Sequence, residues 1–104
     1  MALINNTTKP PQFDGANYLY WKAKITTYIK SINRKVWKVV ETKIEIANAE
    51  NPSAAEEMLL QNNDIALSAI HDALNERTFE QIKNIERAHE AWKKLEESFE
   101  ALKP

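Results

Sequence analysis

Three sets of residues in this 104-residue chain could do chemistry. They are two histidines, His71 and His89; a group of carboxylates toward the C-terminal end, Glu86, Glu90, Glu96, Glu97 and Glu100; and a basic run, Lys22, Lys24, Lys30, Arg34, Lys35, Lys38 and Lys43, interleaved with Tyr20, Trp21, Tyr28 and Trp37. Histidine with carboxylate could hold a metal or move a proton. A structural zinc site, however, needs four nitrogen or sulfur ligands, and the chain has no cysteine. Asp72 beside His71 and Glu90 beside His89 each point about 100° away around a helix, so neither pair shares a face. Both histidines are expected at the surface or rim. The lone glycine, Gly15, excludes phosphate-cradling loops, which need several. No serine stands in a nucleophile elbow. The sequence predicts no enzyme, metal, cofactor or small-molecule substrate.

The carboxylates read as a solvated helix face, with Glu90–Lys94 and Lys93–Glu97 at i,i+4 spacing contributing about 0.2–0.5 kcal/mol each. The basic run suits nucleic acid in outline, since cations meet phosphates and rings stack on bases. Trp21 and Tyr28, however, fall on an apolar stripe that should be buried, which makes RNA the weaker reading. The net charge of −1 conceals a split. Residues 1–43 hold eight Lys or Arg against two acids, a net +6, and residues 44–104 hold six against thirteen, a net −7. Opposite halves of this kind can attract each other within a fold or between copies.

The elements that must position these residues are helices. With one Gly, four Pro and 43% hydrophobic residues, the fold class is all-α: a single compact bundle of about five helices, one domain over residues 13–104, preceded by a flexible N-terminal arm over 1–12. No run approaches the ~20 apolar residues of a membrane span, and the start lacks a signal-peptide pattern. A soluble, intracellular and cytoplasmic chain is expected, with no membrane partner.

Asp14-Gly15 supplies a turn and Asn17 is expected to cap the first helix, whose stripe is Tyr18, Trp21, Ile25, Tyr28, Ile29 and Ile32. A break at Asn33-Arg34 precedes a second helix through Val36, Trp37, Val40 and Ile44. Ser53 with Glu56 makes a capping box. It opens a long third helix, with Leu60, Leu67 and Leu74 and their neighbours Asn63 and Ile70 facing inward, and Asn75 as its stop. Phe79, Ile82 and Ile85 suggest a short fourth helix. A final helix carries Ala88, Ala91, Trp92, Leu95, Phe99 and Leu102. Burying a large side chain contributes about 1.5–3 kcal/mol, so Trp21, Trp37 and Trp92 are read as core.

The ordered set Phe13, Asp14, Gly15, Asn17, Tyr18 and Trp21, then Trp37 and Val40, then Asp64, Ala66, Leu67 and Ile70, then Ala88, Glu90, Ala91, Trp92, Leu95 and Phe99 resembles the N-terminal capsid region of the gag polyprotein of copia-type LTR retrotransposons. The resemblance implies a helical domain whose copies pack into a shell around RNA, a role needing surfaces rather than catalysts. It departs from the family where Thr or Ser usually precedes Ala-Lys-Glu-Ala-Trp: this chain has Glu86-Arg87-Ala88-His89-Glu90-Ala91-Trp92, and Asn84 is expected to replace the cap. The Cys-His zinc knuckle of a complete gag lies outside the 104 residues, so the chain reads as an excised fragment or a domesticated host domain. The expected partner is another copy, through basic Lys22, Lys30, Arg34, Lys35 and Lys38 against acidic Glu90, Glu96, Glu97 and Glu100. The alternative is a host adaptor binding another protein in a groove between the first and last helices, which would leave Leu19, Ile29 or Leu102 exposed.

Overall fold

A computed structural model describes residues 9–100. The order is α1 (Tyr18–Ile32), α2 (Arg34–Glu41), α3 (Ala54–Asp72), α4 (Glu76–Phe79) and α5 (Ala88–Leu95), the last running into a wider π-helical turn, Glu96–Glu100. Five helices and no extended sheet make the described fold all-α, as the composition predicts. The sole strand-like pairing among the described residues is an isolated bridge between Phe13 and Leu74.

Local chemistry explains how α1 begins. Asp14 Oδ1 accepts from the Ala16 amide at 3.0 Å, and Gly15 takes φ +104°, where a side chain would be strained. Asn17 sits at the cap position in the left-handed region, φ 55° and ψ 50°, and its side chain makes no capping bond. The expected cap is therefore corrected: this residue supplies a backbone shape that asparagine tolerates better than most. Tyr18, Trp21, Ile25 and Ile29 form the buried stripe. Tyr28 is half-buried, and Ile32 at the end of the helix is 43% exposed.

Asn33 alone joins α1 to α2. Its amide bonds to Ile29 O at the end of α1, and its side chain caps α2 by accepting from the Lys35 amide at 2.8 Å. The helix buries Val36, Val39 and Val40 and packs against α1, α3 and α5, which makes it the central element. Thr42 is extended, so α2 ends at Glu41 and Ile44 belongs to the following loop rather than to the helix. Two β-branched valines followed by Thr42 favour this early stop.

The capping box at Ser53 is present in both directions, and Glu56 also accepts from the Ala47 amide at 2.9 Å. On α3 the buried line is Asn63, Ala66, Ala69 and Ile70, continuing to Ala73. Of the expected inward positions, Asn63, Ile70 and Leu74 are buried and Leu67 is half-buried against the core, while Leu60 is half-buried and the small Ala66 and Ala69 complete the side that meets α2 and α5. Asn75 caps the single turn α4, accepting from the Thr78 amide at 2.9 Å. Ile82 and Ile85 follow outside that helix, in tight turns whose i→i+3 amide bonds account for their three-residue spacing.

The last helix does not continue unchanged to Leu102, as the spacing predicts. Its pitch widens after Leu95, and Leu102 lies outside the described residues. Phe99 in the π turn meets Phe13 edge-on at 4.9 Å between ring centroids. Phe13, itself 1% exposed, stacks on Trp21 at 4.8 Å; Trp21 lies 6.1 Å from Trp92, and Trp92 meets Trp37 edge-on at 5.4 Å. This aromatic column runs through the molecule and joins residues far apart in sequence.

The chain ahead of α1 is tied to the bundle. Phe13 N–H donates to Ala73 O at 2.8 Å, Gln12 Nε2 donates to Asp72 O at 2.8 Å, and Trp21 Nε1 donates to Pro11 O at 2.8 Å. Residues 1–8 of the expected arm lie outside the described residues.

Candidate interaction surface

The residues singled out in the sequence separate into a core set and a surface set. Phe13, Tyr18, Trp21, Val40, Ala91, Trp92 and Leu95 are buried, Trp37 and Phe99 are half-buried against them, and Asp14, Gly15 and Asn17 form the exposed turn. Their physical role is to build the bundle.

The surface set divides again. Lys22 Nζ lies 3.0 Å from Glu96 and 2.9 Å from Glu100, so α1 and the π turn pair inside one chain across the two oppositely charged halves. Burial disfavours the Lys22 ammonium, but the hydrogen bonds to Glu100 and Glu96 outweigh it and hold its pKa above the ordinary lysine value. The adjacent Tyr18 hydroxyl is buried without a partner, and desolvation, reinforced by Glu96 and Glu100, pushes its ionisation well above the usual range. Lys30 lies over the Trp37 ring at 5.7 Å. Arg34, Lys35 and Lys38 on α2, Glu90 in the first turn of α5 and Glu97 in the π turn are exposed, and no ion pair engages them among the described residues. The pairs expected at i,i+4 are replaced by Lys93–Glu96 at 3.6 Å, an i,i+3 contact.

Both histidines are half-buried. His89 on α5 reaches Val40 O at 2.8 Å; a carbonyl can only accept, so Nδ1 carries the proton and fastens α5 to the end of α2. His71 turns its ring edge-on to Phe79 at 4.9 Å and leaves Nε2 buried without a partner. Desolvation, opposed by Asp72, lowers its pKa. Among the described residues no group of His, Asp and Glu is placed to hold a metal ion, and no helix is long and apolar enough to cross a membrane.

One functional group carried no recognisable sequence signal as a cap. Asn63, buried on α3, accepts from the Ala88 amide at 2.7 Å and donates to Glu86 O at 2.8 Å. Arg87, at the cap position of α5, makes no side-chain cap. The cap expected from Asn84 thus comes from another helix, through a contact spanning 25 residues.

The expected groove between the first and last helices fares unevenly. Leu19 is 45% exposed, Ile29 is fully buried, and Leu102 lies outside the described residues. Among the described residues the other large exposed apolar side chains are Tyr20, Ile32, Met58 and Ile65, on α1 and α3.

The residues thus define a small all-α domain held by an aromatic column, with most of its charged side chains on the surface. Residues 26–104 match the family described as the gag-polypeptide of LTR copia-type. The chain belongs to that family, and its role is gag-related and structural. The match begins within α1, so Phe13 to Trp21 lie ahead of it. No curated protein and no solved structure matches the chain.

Proposed function

We propose that this gag domain acts by self-association into a capsid-like assembly, with the basic face of α2 on one copy meeting the acidic end of the molecule on another. The observation carrying this reading is the division of the charged set. Lys22 is already paired within the chain, whereas Arg34, Lys35 and Lys38 and the oppositely charged Glu90 and Glu97 are exposed, with no ion pair to them among the described residues. A contact between two different surfaces repeats head to tail and propagates into rings or open arrays. Its charges speed encounter and make it sensitive to salt.

Molar mass by light scattering across a wide concentration range tests this. Mass should rise with concentration at low salt and fall as salt is added. Lys35→Glu with Lys38→Glu should lower it, and adding Glu90→Lys with Glu97→Lys should restore it. A reversal that leaves association unchanged removes this surface assignment.

One observation favours RNA as a second reading. Tyr20 is 68% exposed with Lys24 Nζ 5.8 Å from its ring centre, a ring and a cation both open to solvent. Binding through it would fall steeply with salt, and the absence of any RNA mobility shift at low salt would end that reading.

A further inference from the structure

We infer that the groove between α1 and α3 is a second self-contact, a two-fold interface in which it receives the same groove of another copy; this rests on the self-association reading above. The groove is about 420 Å³, with Tyr28 and Ile32 on one wall, Ile65 and Ala69 on the other, and Asp64 and Asp72 at its rim. Ile32 is 43% and Ile65 39% exposed, and Met58, two turns before Ile65 on the same side of α3, is 55% exposed. The long helix therefore carries two apolar lines. The inner one, through Asn63, Ala66 and Ile70, is covered by the bundle, and the outer one faces solvent. Two exposed isoleucines converging on one groove differ from apolar residues scattered singly over a surface.

Charge selects a second copy as the occupant. The lining contains two carboxylates and no cation. Gln12, just ahead of α1, bonds to Asp72 at the end of α3, so the two helices run antiparallel and Asp72 marks one end of the groove. Ile32 marks the other, and the exposed Arg34 follows it by two residues. A two-fold axis through the middle of the groove brings the Ile32 and Arg34 end of each copy to the Asp72 end of the other, and sets Ile65 of both copies near the axis as the apolar centre. A head-to-tail contact alone makes rings or filaments, and a closed shell needs another contact to link them. An isologous groove contact supplies that link.

The full chain is examined at high salt, which screens the α2-to-acidic-end contact but spares apolar burial. Light scattering should show a limiting dimer. Ile65→Asp should weaken it at least ~10-fold, which corresponds to the loss of about 1.4 kcal/mol, while the helical circular dichroism and the Lys35→Glu, Lys38→Glu phenotype at low salt are retained. Because the chain has no cysteine, Ser68→Cys gives a single thiol in the groove, and a short bismaleimide should link it into dimers, whereas Glu50→Cys, in a loop outside the groove, stays unlinked. A dimer indifferent to Ile65→Asp and no linkage at Ser68→Cys overturn the groove and leave self-association standing. Monomer at every concentration and both salts overturns both. A groove dimer whose mass never grows at low salt supports this contact and overturns the head-to-tail one.

Discussion

His71 shows how a single side chain acquires a pH dependence from its surroundings. Its Nε2 is buried without a partner and its ring lies against Phe79, so the folded protein disfavours the imidazolium. The folded pKa lies below the ordinary 6.5. The unfolded chain therefore binds the proton more readily; this contribution to stability is complete above the unfolded value of 6.5 and is lost as the pH falls from there to the lower folded pKa. His71→Leu should lose less stability than the wild-type chain between pH 7.5 and pH 5.5, as the urea midpoint would show. Parallel losses in both proteins would mean that another group carries the acid dependence.

At the level of elements, α5 borrows its first hydrogen-bond acceptor from α3. Asn63→Ala leaves the Ala88 amide and the Glu86 carbonyl unsatisfied in a closely packed place, and a cost of about 1–3 kcal/mol is expected in urea unfolding. Asn63→Asp keeps the acceptor but sets a carboxylate oxygen against the Glu86 carbonyl, and should cost at least as much. The sequence announced what adjacent residues decide: the α1 stripe from Tyr18 to Ile29, the Ser53–Glu56 box, and the break at Asn33. It placed Asn63 on the inward face but gave no sign of its task, because the partners lie 23 and 25 residues away. The end of α2, the alanine line on α3 and the π turn were hidden for the same reason. Each depends on what packs against it, and local periodicity does not report packing. The candidate interface was legible as a list of charges, but not in its division, since only the fold brings Lys22 to Glu96 and Glu100.

The molecule as a whole closes around its beginning. Phe13, Tyr18 and Trp21 fill the middle of the core, yet they precede the residues that define the family match. Residues 26–104 expressed alone would lack all three, and removing a buried Phe or Trp typically costs about 3–5 kcal/mol. Against the 5–15 kcal/mol available to a small domain, that piece should show weakened helical circular dichroism and no cooperative thermal transition; a cooperative transition like that of the full chain would refute the assignment of these rings as core. The aromatic column also has a consequence in time. Its rings come from the first quarter of the chain, from α2 and from the last fifteen residues. A ribosome delivers the first rings long before Trp92 and Phe99 can cover them. The nascent polypeptide must carry an uncovered aromatic surface until Trp92 and Phe99 have emerged, and chaperones have that interval in which to bind it.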